Sequence, residues 1–237
     1  MNIFWIALRE FRCYFRRPIA YIVIASFIVL SGIYTFVLNP FFVVGKATLQ
    51  PFFDFLPFLF TLFIPAITMR AIAEEKADGM LEIMQTWPVS DLSWVVGKFL
   101  GTLALVTLTL LLTASFPIAI SAIGDLDWGA VIGGYLGLIL MAAAYISLGI
   151  FASAATSNQV IAFINGFLLC FCFYIIGRTA TFVGEDLRGM VEFLSFERRV
   201  VSMSQGVIDL RDVAYLASIV LCATGLTAER LHLRRWR

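Results

Sequence analysis

The chain has 237 residues, of which 61% are hydrophobic and only 14% charged, with a mean hydropathy of +0.93. Soluble domains carry about 25% charge, so a water-soluble globule is excluded and most of the chain reads as membrane-spanning helix. A net charge of +1 gives no footing for nucleic acid.

The first element covers residues 3–17. Phe4, Leu8, Phe11 and Phe15 fall on one helical face, and Arg9, Arg12 and Arg16 on another, with Arg17 following. This is the pattern of an interfacial amphipathic helix lying flat, its arginines near lipid phosphates. The segment is too charged for a signal-peptide n-region with a cleavage site. Pro18 opens the next helix at a position where its missing N–H costs little.

Six spans follow, at residues 19–38, 51–69, 99–123, 129–152, 160–177 and 213–228. Span 1 ends at Asn39-Pro40, and Asp54 lies near the outer end of span 2. Residues 128–177 contain no charge. As one helix they would be about 75 Å long, more than twice a hydrocarbon core of about 30 Å. They therefore fold back, with Ser153–Gln159 (SAATSNQ) as the turn between spans 4 and 5. The sixth span is short, a difference that snorkelling or local thinning covers.

An even number of spans puts both termini on one side. Eleven Lys and Arg lie in the termini-side segments and six on the opposite side, five of these in one longer loop. By the positive-inside rule both termini are cytoplasmic and the loop 178–212 is external. In that loop Leu187, Met190, Val191 and Leu194 have helical spacing and read as a stretch that packs back on the membrane face.

Between spans 2 and 3 stands a charged segment, residues 70–98 (RAIAEEKADGMLEIMQTWPVSDLSWVVGK). Met80, Ile83, Met84 and Trp87 form an i, i+3, i+4, i+7 stripe. Glu74, Glu75, Asp78 and Glu82 supply an acidic remainder, Gly79 allows a bend, and Trp87-Pro88 ends the helix. An interfacial helix would share this stripe. An anionic leaflet attracts Lys and Arg, however, so the acids favour a helix that docks a partner, with Met and Trp as anchors.

No Asp, Glu, Lys, Arg or His lies at the middle of any span, unlike the usual proton-coupled carrier or pump. Asn165 is the strongest polar residue at depth, read as an interhelical hydrogen-bonding group, with Thr61, Thr107 and Ser218 weaker. Pro57, Pro65 and Pro117 are kink positions, and Gly133, Gly134 and Gly137 permit close helix packing. The four cysteines and the single histidine, His232, have no metal or redox spacing. There is no P-loop, no His-Glu-x-x-His zinc motif and no Gly-x-Ser-x-Gly elbow, so neither ATP hydrolysis nor hydrolase chemistry is expected of this chain.

The stretch IPAITMRAIAEEKADGMLEIMQTWPVSDLSWVVGKFLG resembles the span 2 to span 3 segment of bacterial ABC transporter permeases of the ABC-2 type, closest to the gliding-motility GldF-like group. LREFRCYFRRPIAYIV resembles that family's entry helix and first span, ATSNQVIAFI its turn between spans 4 and 5, and LSFERRVVSMSQGVIDLRDVAYL its external loop running into span 6. The resemblance implies an all-α polytopic membrane protein with the ABC-2 permease (type V exporter-like) architecture. It implies a non-catalytic half-transporter in the bacterial inner membrane, which pairs with a second permease, identical or paralogous. Two separate cytoplasmic ATPase subunits, which hold the ATP and Mg, would drive it, and a membrane subunit with an external domain is a further implied partner. In the family the segment between spans 2 and 3 is the coupling helix that docks the ATPase, and the turn between spans 4 and 5 is a second, smaller contact. Carried over, the first falls on Glu74 to Trp87 and the second on Ser153, Thr156 and Asn158. A membrane anchor of a larger envelope machine, and a channel or secondary carrier, are the competing readings.

Overall fold

Prolines and small polar caps punctuate the apolar runs and set where each helix begins. A computed structural model of the chain describes residues 3–38, 48–80, 90–179, 189, 194–207 and 209–234. Ten α-helices and no strands occur among them. They are α1 (Ile3–Phe15), α2 (Pro18–Ile33, continued by a π-helical turn Tyr34–Leu38), α3 (Gln50–Thr68), α4 (Ala73–Ala77) and α5 (Asp91–Leu112). After these come α6 (Ser115–Ser121), α7 (Trp128–Ala155), α8 (Gln159–Thr179), α9 (Phe196–Ser204) and α10 (Leu210–Arg234). Pro18 stands at the start of α2. Asp127 caps α7 by accepting from the N–H groups of Gly129 and Ala130 at 2.9 and 3.3 Å, which satisfies two donors that a helix start otherwise leaves orphaned.

Six helical stretches are long and apolar enough to cross a membrane: Pro18–Leu38, Gln50–Ala77, Asp91–Ser121, Trp128–Ala155, Gln159–Thr179 and Leu210–Leu233. The chain is an all-helical, multi-pass membrane protein. Two helices run further than the apolar pattern suggests. Helix α5 starts at Asp91 rather than at Phe99, and α10 extends from Leu210 to Arg234. Charged ends do not terminate a helix, because the backbone bonds are satisfied locally and the side chains can reach water or a partner.

Helix α7 is the centre of the bundle and packs against α3, α5, α8, α9 and α10. Its small residues allow this. A Cβ on Gly134 would strike the Phe53 ring of α3, and one on Gly149 would strike Thr68. Gly133 faces the Met203 carbonyl oxygen and Gly137 lies against Met203 and Val200, so a stripe of α7 glycines receives α9. Phe52, Phe53, Phe60 and Tyr145 are among the largest fully buried side chains; Phe52 and Phe53 of α3 meet Tyr135 of α7, Phe60 stacks on Phe27 of α2, and Tyr145 of α7 meets Phe196 of α9. By contrast α8 buries only Ala162, Gly166 and Cys170.

Helix α9, in the segment opposite the termini, lies across α7 and touches α3 and α8. It is capped by Ser195, whose hydroxyl accepts from Arg198 N at 3.2 Å. Two of its charged side chains are buried. Glu197 meets Arg178 of α8 at 2.9 Å. Arg199 reaches Asp212 of α10 at 2.5 Å and lies 3.8 Å over the Tyr215 ring. Burial pushes the Glu197 carboxyl above its ordinary range, with Arg178 opposing the shift. Of the four loop residues with helical spacing, Leu187, Met190 and Val191 lie outside the described residues, and Leu194 is exposed.

Candidate functional site

At the end of the bundle that carries the termini, α3 stops at Thr68 and a tight turn leads into α4. This turn is held from across the bundle by one hydroxyl. Ser153 Oγ, fully buried near the end of α7, accepts from the N–H of Ile72 at 3.1 Å and of Ala73 at 3.0 Å. It donates to the Met69 carbonyl at 3.0 Å. One side chain thus satisfies three backbone groups that would otherwise be buried unpaired. One turn further on, Lys76 Nζ donates to the Ala154 carbonyl, a cation placed at the negative end of α7.

The two segments that sequence reasoning marked as separate contacts therefore form one surface. After α7, Thr156 Oγ1 accepts from Asn158 N at 3.1 Å, and Asn158 Oδ1 caps α8 by accepting from Val160 N at 2.9 Å. Thr156 and Asn158 are thus committed to the turn while Asn158 stays exposed. Lys76, the residues 154–157, Arg230 and Leu233 line an open groove of about 600 Å³. Arg230 lies 5.9 Å from the Phe151 ring, and His232 Nδ1 is 3.4 Å from Asp91 Oδ2. Sequence reasoning missed the basic character of this groove, since Lys76 and Arg230 are 154 positions apart in the chain.

The acids of the segment do not form one solvated face. Glu75 turns inward, where its Oε1 receives Lys98 Nζ at 2.9 Å. Lys98 also reaches Glu10 Oε2 of α1 at 3.2 Å and is only 1% exposed. Lys98 closes the charged segment 70–98 and the third span is expected to begin only at residue 99, yet this side chain is withdrawn from water. It sits two turns inside α5, between two carboxylates and 4.8 Å from the Trp94 ring centre. Glu74 receives Arg17 Nη1 at 2.8 and 2.7 Å on its two oxygens. Asp78 and Met80 remain exposed, and Gly79 between them has φ +69°, a left-handed turn that suits glycine. Glu82, Ile83, Met84 and Trp87 lie outside the described residues.

The N-terminal helix is also more than a raft on the lipid. Its inner line, Ile6, Glu10 and Tyr14, faces α5. Gly97 and Gly101 of α5 admit Ile6 and the Ala7 carbonyl, and Tyr14 Oη lies 3.0 Å from Thr102 Oγ1. Burial raises the Tyr14 hydroxyl well above its ordinary range. Of the arginines expected at phosphates, Arg17 pairs with Glu74 and Arg9 approaches Glu75 at 3.9 Å, while Arg12 and Arg16 are exposed. Helix α1 and the segment after α3 are thus joined by charge.

The polar groups marked at depth divide. Thr61 is buried and donates to the Phe58 carbonyl at 2.7 Å, and Ser218 donates to Tyr215 at 2.6 Å, so both hydroxyls are spent on their own helices. Asn165 lies exposed on α8, so within the single chain it is no interhelical link. The family model described as ABC-2 family transporter protein matches residues 18–196, about three quarters of the chain. No individual curated protein matches it.

Proposed function

The chain belongs to the ABC-2 family of transporter proteins and is thus the transmembrane component of an ABC transporter, and from that premise we propose that it is the permease subunit of an ATP-driven exporter. It works as a pair of permeases, identical or paralogous, in the bacterial inner membrane, with both termini and the surface around α4 in the cytoplasm. Separate ATPase subunits dock there and carry the ATP and Mg; this chain hydrolyses nothing. Its placement beside the gliding-motility GldF-like group rests on the four segments quoted above.

The observation that carries the reading is the Ser153 clamp. It fixes the turn before α4 to the end of α7, the helix at the centre of the bundle. A push on α4 therefore reaches the bundle centre directly. Through Glu75, Lys98 and Glu10 the same push reaches α5 and α1. The docking surface comprises Asp78, Met80, Thr156 and Asn158 with Lys76 and Arg230, extended by Glu82, Ile83, Met84 and Trp87. Asn165, exposed on α8, faces the second permease or the path, where its amide finds the partner that hydrocarbon denies it.

The test is purification of the tagged chain with its ATPase, followed by ATP-dependent transport by the complex. Trp87→Ala and Met80→Ala lower the ATPase yield, Trp87→Ala by about 2 kcal/mol, the usual hot-spot threshold. Unchanged yields for both variants remove the docking assignment. A stable complex without transport favours the anchor reading, and ion currents without ATP the channel.

A further inference from the structure

Between α1, α2, α3, α4 and α5 lies a cavity of about 290 Å³, whose lining includes the exposed residues Arg17, Asp78 and Met80. Its volume is at the lower end of ligand pockets, which run about 300–1,000 Å³. One wall is hydrocarbon: Ile19, Ala20 and Val23 of α2, Ala66 and Ile67 of α3, and Leu105 of α5. The other wall is ionic, and its cations are unequally committed. Lys98 is held by Glu10 and Glu75, Arg17 by Glu74, and Arg9 approaches Glu75. Arg70 has no carboxylate within reach among the described residues, and its Nε is buried with no hydrogen-bond acceptor. In the same cavity Glu75 Oε2 is buried with no donor.

An unpaired buried guanidinium N–H and an unpaired buried carboxylate oxygen each cost free energy that a bound molecule can recover. A planar guanidinium suits phosphate, and a carboxylate oxygen suits a hydroxyl. The apolar wall asks for an acyl chain. The cavity lies at the end of span 2, directly after α3, and span ends are where hydrocarbon gives way to head groups. Four cations (Arg9, Arg17, Arg70 and Lys98) and four carboxylates (Glu10, Glu74, Glu75 and Asp78) line the cavity, so what marks it for a phosphate is the uncommitted guanidinium of Arg70 rather than net charge.

We propose that this cavity is a binding site for one anionic glycerophospholipid whose head group carries a phosphate and a free hydroxyl. The phosphate is received by Arg70, the hydroxyl by Glu75, and the upper acyl chain by the wall of α2, α3 and α5. The inference concerns the single chain and its leaflet and does not depend on which ATPase docks.

The test is native mass spectrometry of the full chain released from detergent with phosphatidylglycerol or phosphatidylcholine of matched chains. One phosphatidylglycerol is retained in preference to phosphatidylcholine. Arg70→Gln weakens phosphatidylglycerol retention by roughly tenfold, the scale of one charged hydrogen-bonding partner, and leaves phosphatidylcholine unchanged. Ala66→Leu, which fills the apolar wall without touching charge, weakens retention of phosphatidylglycerol too, and keeps the site testable should Arg70→Gln fail to fold. Equal retention of both lipids by the wild type overturns the proposal, as does an undiminished preference in either folded variant. Displacement of phosphatidylglycerol by millimolar inorganic phosphate also overturns it, because the site would then be one for free phosphate.

Discussion

Lys98 is the residue on which the termini-side half of the molecule turns. It is buried between Glu10 and Glu75, which come from different helices. Two carboxylates close on one ammonium in a desolvated place, with Arg9 3.9 Å from Glu75, and breaking such a cluster strands charge. Lys98→Met therefore costs about 3–5 kcal/mol, the usual loss when one member of a buried ion pair is removed. The triple variant Glu10→Gln, Glu75→Gln, Lys98→Met recovers most of that loss, because no charge is left uncompensated. Thermal unfolding of each purified variant in the same detergent measures the difference. A single variant as stable as the wild type would mean that the cluster carries no structural charge coupling. None of this was legible in the sequence. A lysine and a glutamate 88 positions apart carry no mark of being neighbours. Ser153 was marked for its place in a polar turn, but its role as a clamp on the α3–α4 turn required the fold.

The helices themselves were written plainly in the apolar runs. The uncharged stretch 128–177 exceeds one membrane thickness, so length alone demanded a turn, and the structure has it between Ala155 and Gln159. Helix ends were harder to read, because Asp91 and Arg230 look like loop residues yet continue their helices by keeping their heads at the boundary. The glycines of α7 could be recognised as small but not assigned to a neighbour. The structure assigns Gly133 and Gly137 to α9 and Gly134 to Phe53. Gly133→Ala sets a methyl against the Met203 carbonyl, which cannot swing away as a side chain could, and destabilises by about 1–3 kcal/mol. Gly225→Ala in α10 meets nothing within 4 Å and is neutral or stabilising by up to about 1 kcal/mol through helix propensity. Parallel unfolding curves of the two variants check the pair, and a similar loss in both would show that α9 does not rest on α7.

Across the whole molecule, the distribution of Lys and Arg argues for both termini in the cytoplasm. In a cysteine-free background, a cysteine at Gln205, exposed just after α9, reacts with an impermeant thiol reagent added outside sealed cells. One at Asp78, exposed after α4, does not. Labelling of Asp78 from outside inverts the molecule and removes the surface around α4 from reach of any cytoplasmic ATPase. The same scale shows why the sequence revealed the family segment by segment but not the site. Its surface is assembled from α4, the α7–α8 turn and the end of α10, three places joined only by folding.

The central position of α7 also has a consequence in time. A chain made from its first residue onward inserts α3 and α5 before the α7 they pack against exists. At about 5–20 residues per second, the wait between the end of α5 and the end of α7 is a few seconds. During it Phe52 and Phe53 have no α7 to meet, and the turn before α4 has no Ser153. The half-made protein is therefore a set of loosely associated spans, open to quality-control proteases and membrane chaperones. Its assembly becomes cooperative at the moment the fourth span enters the bilayer.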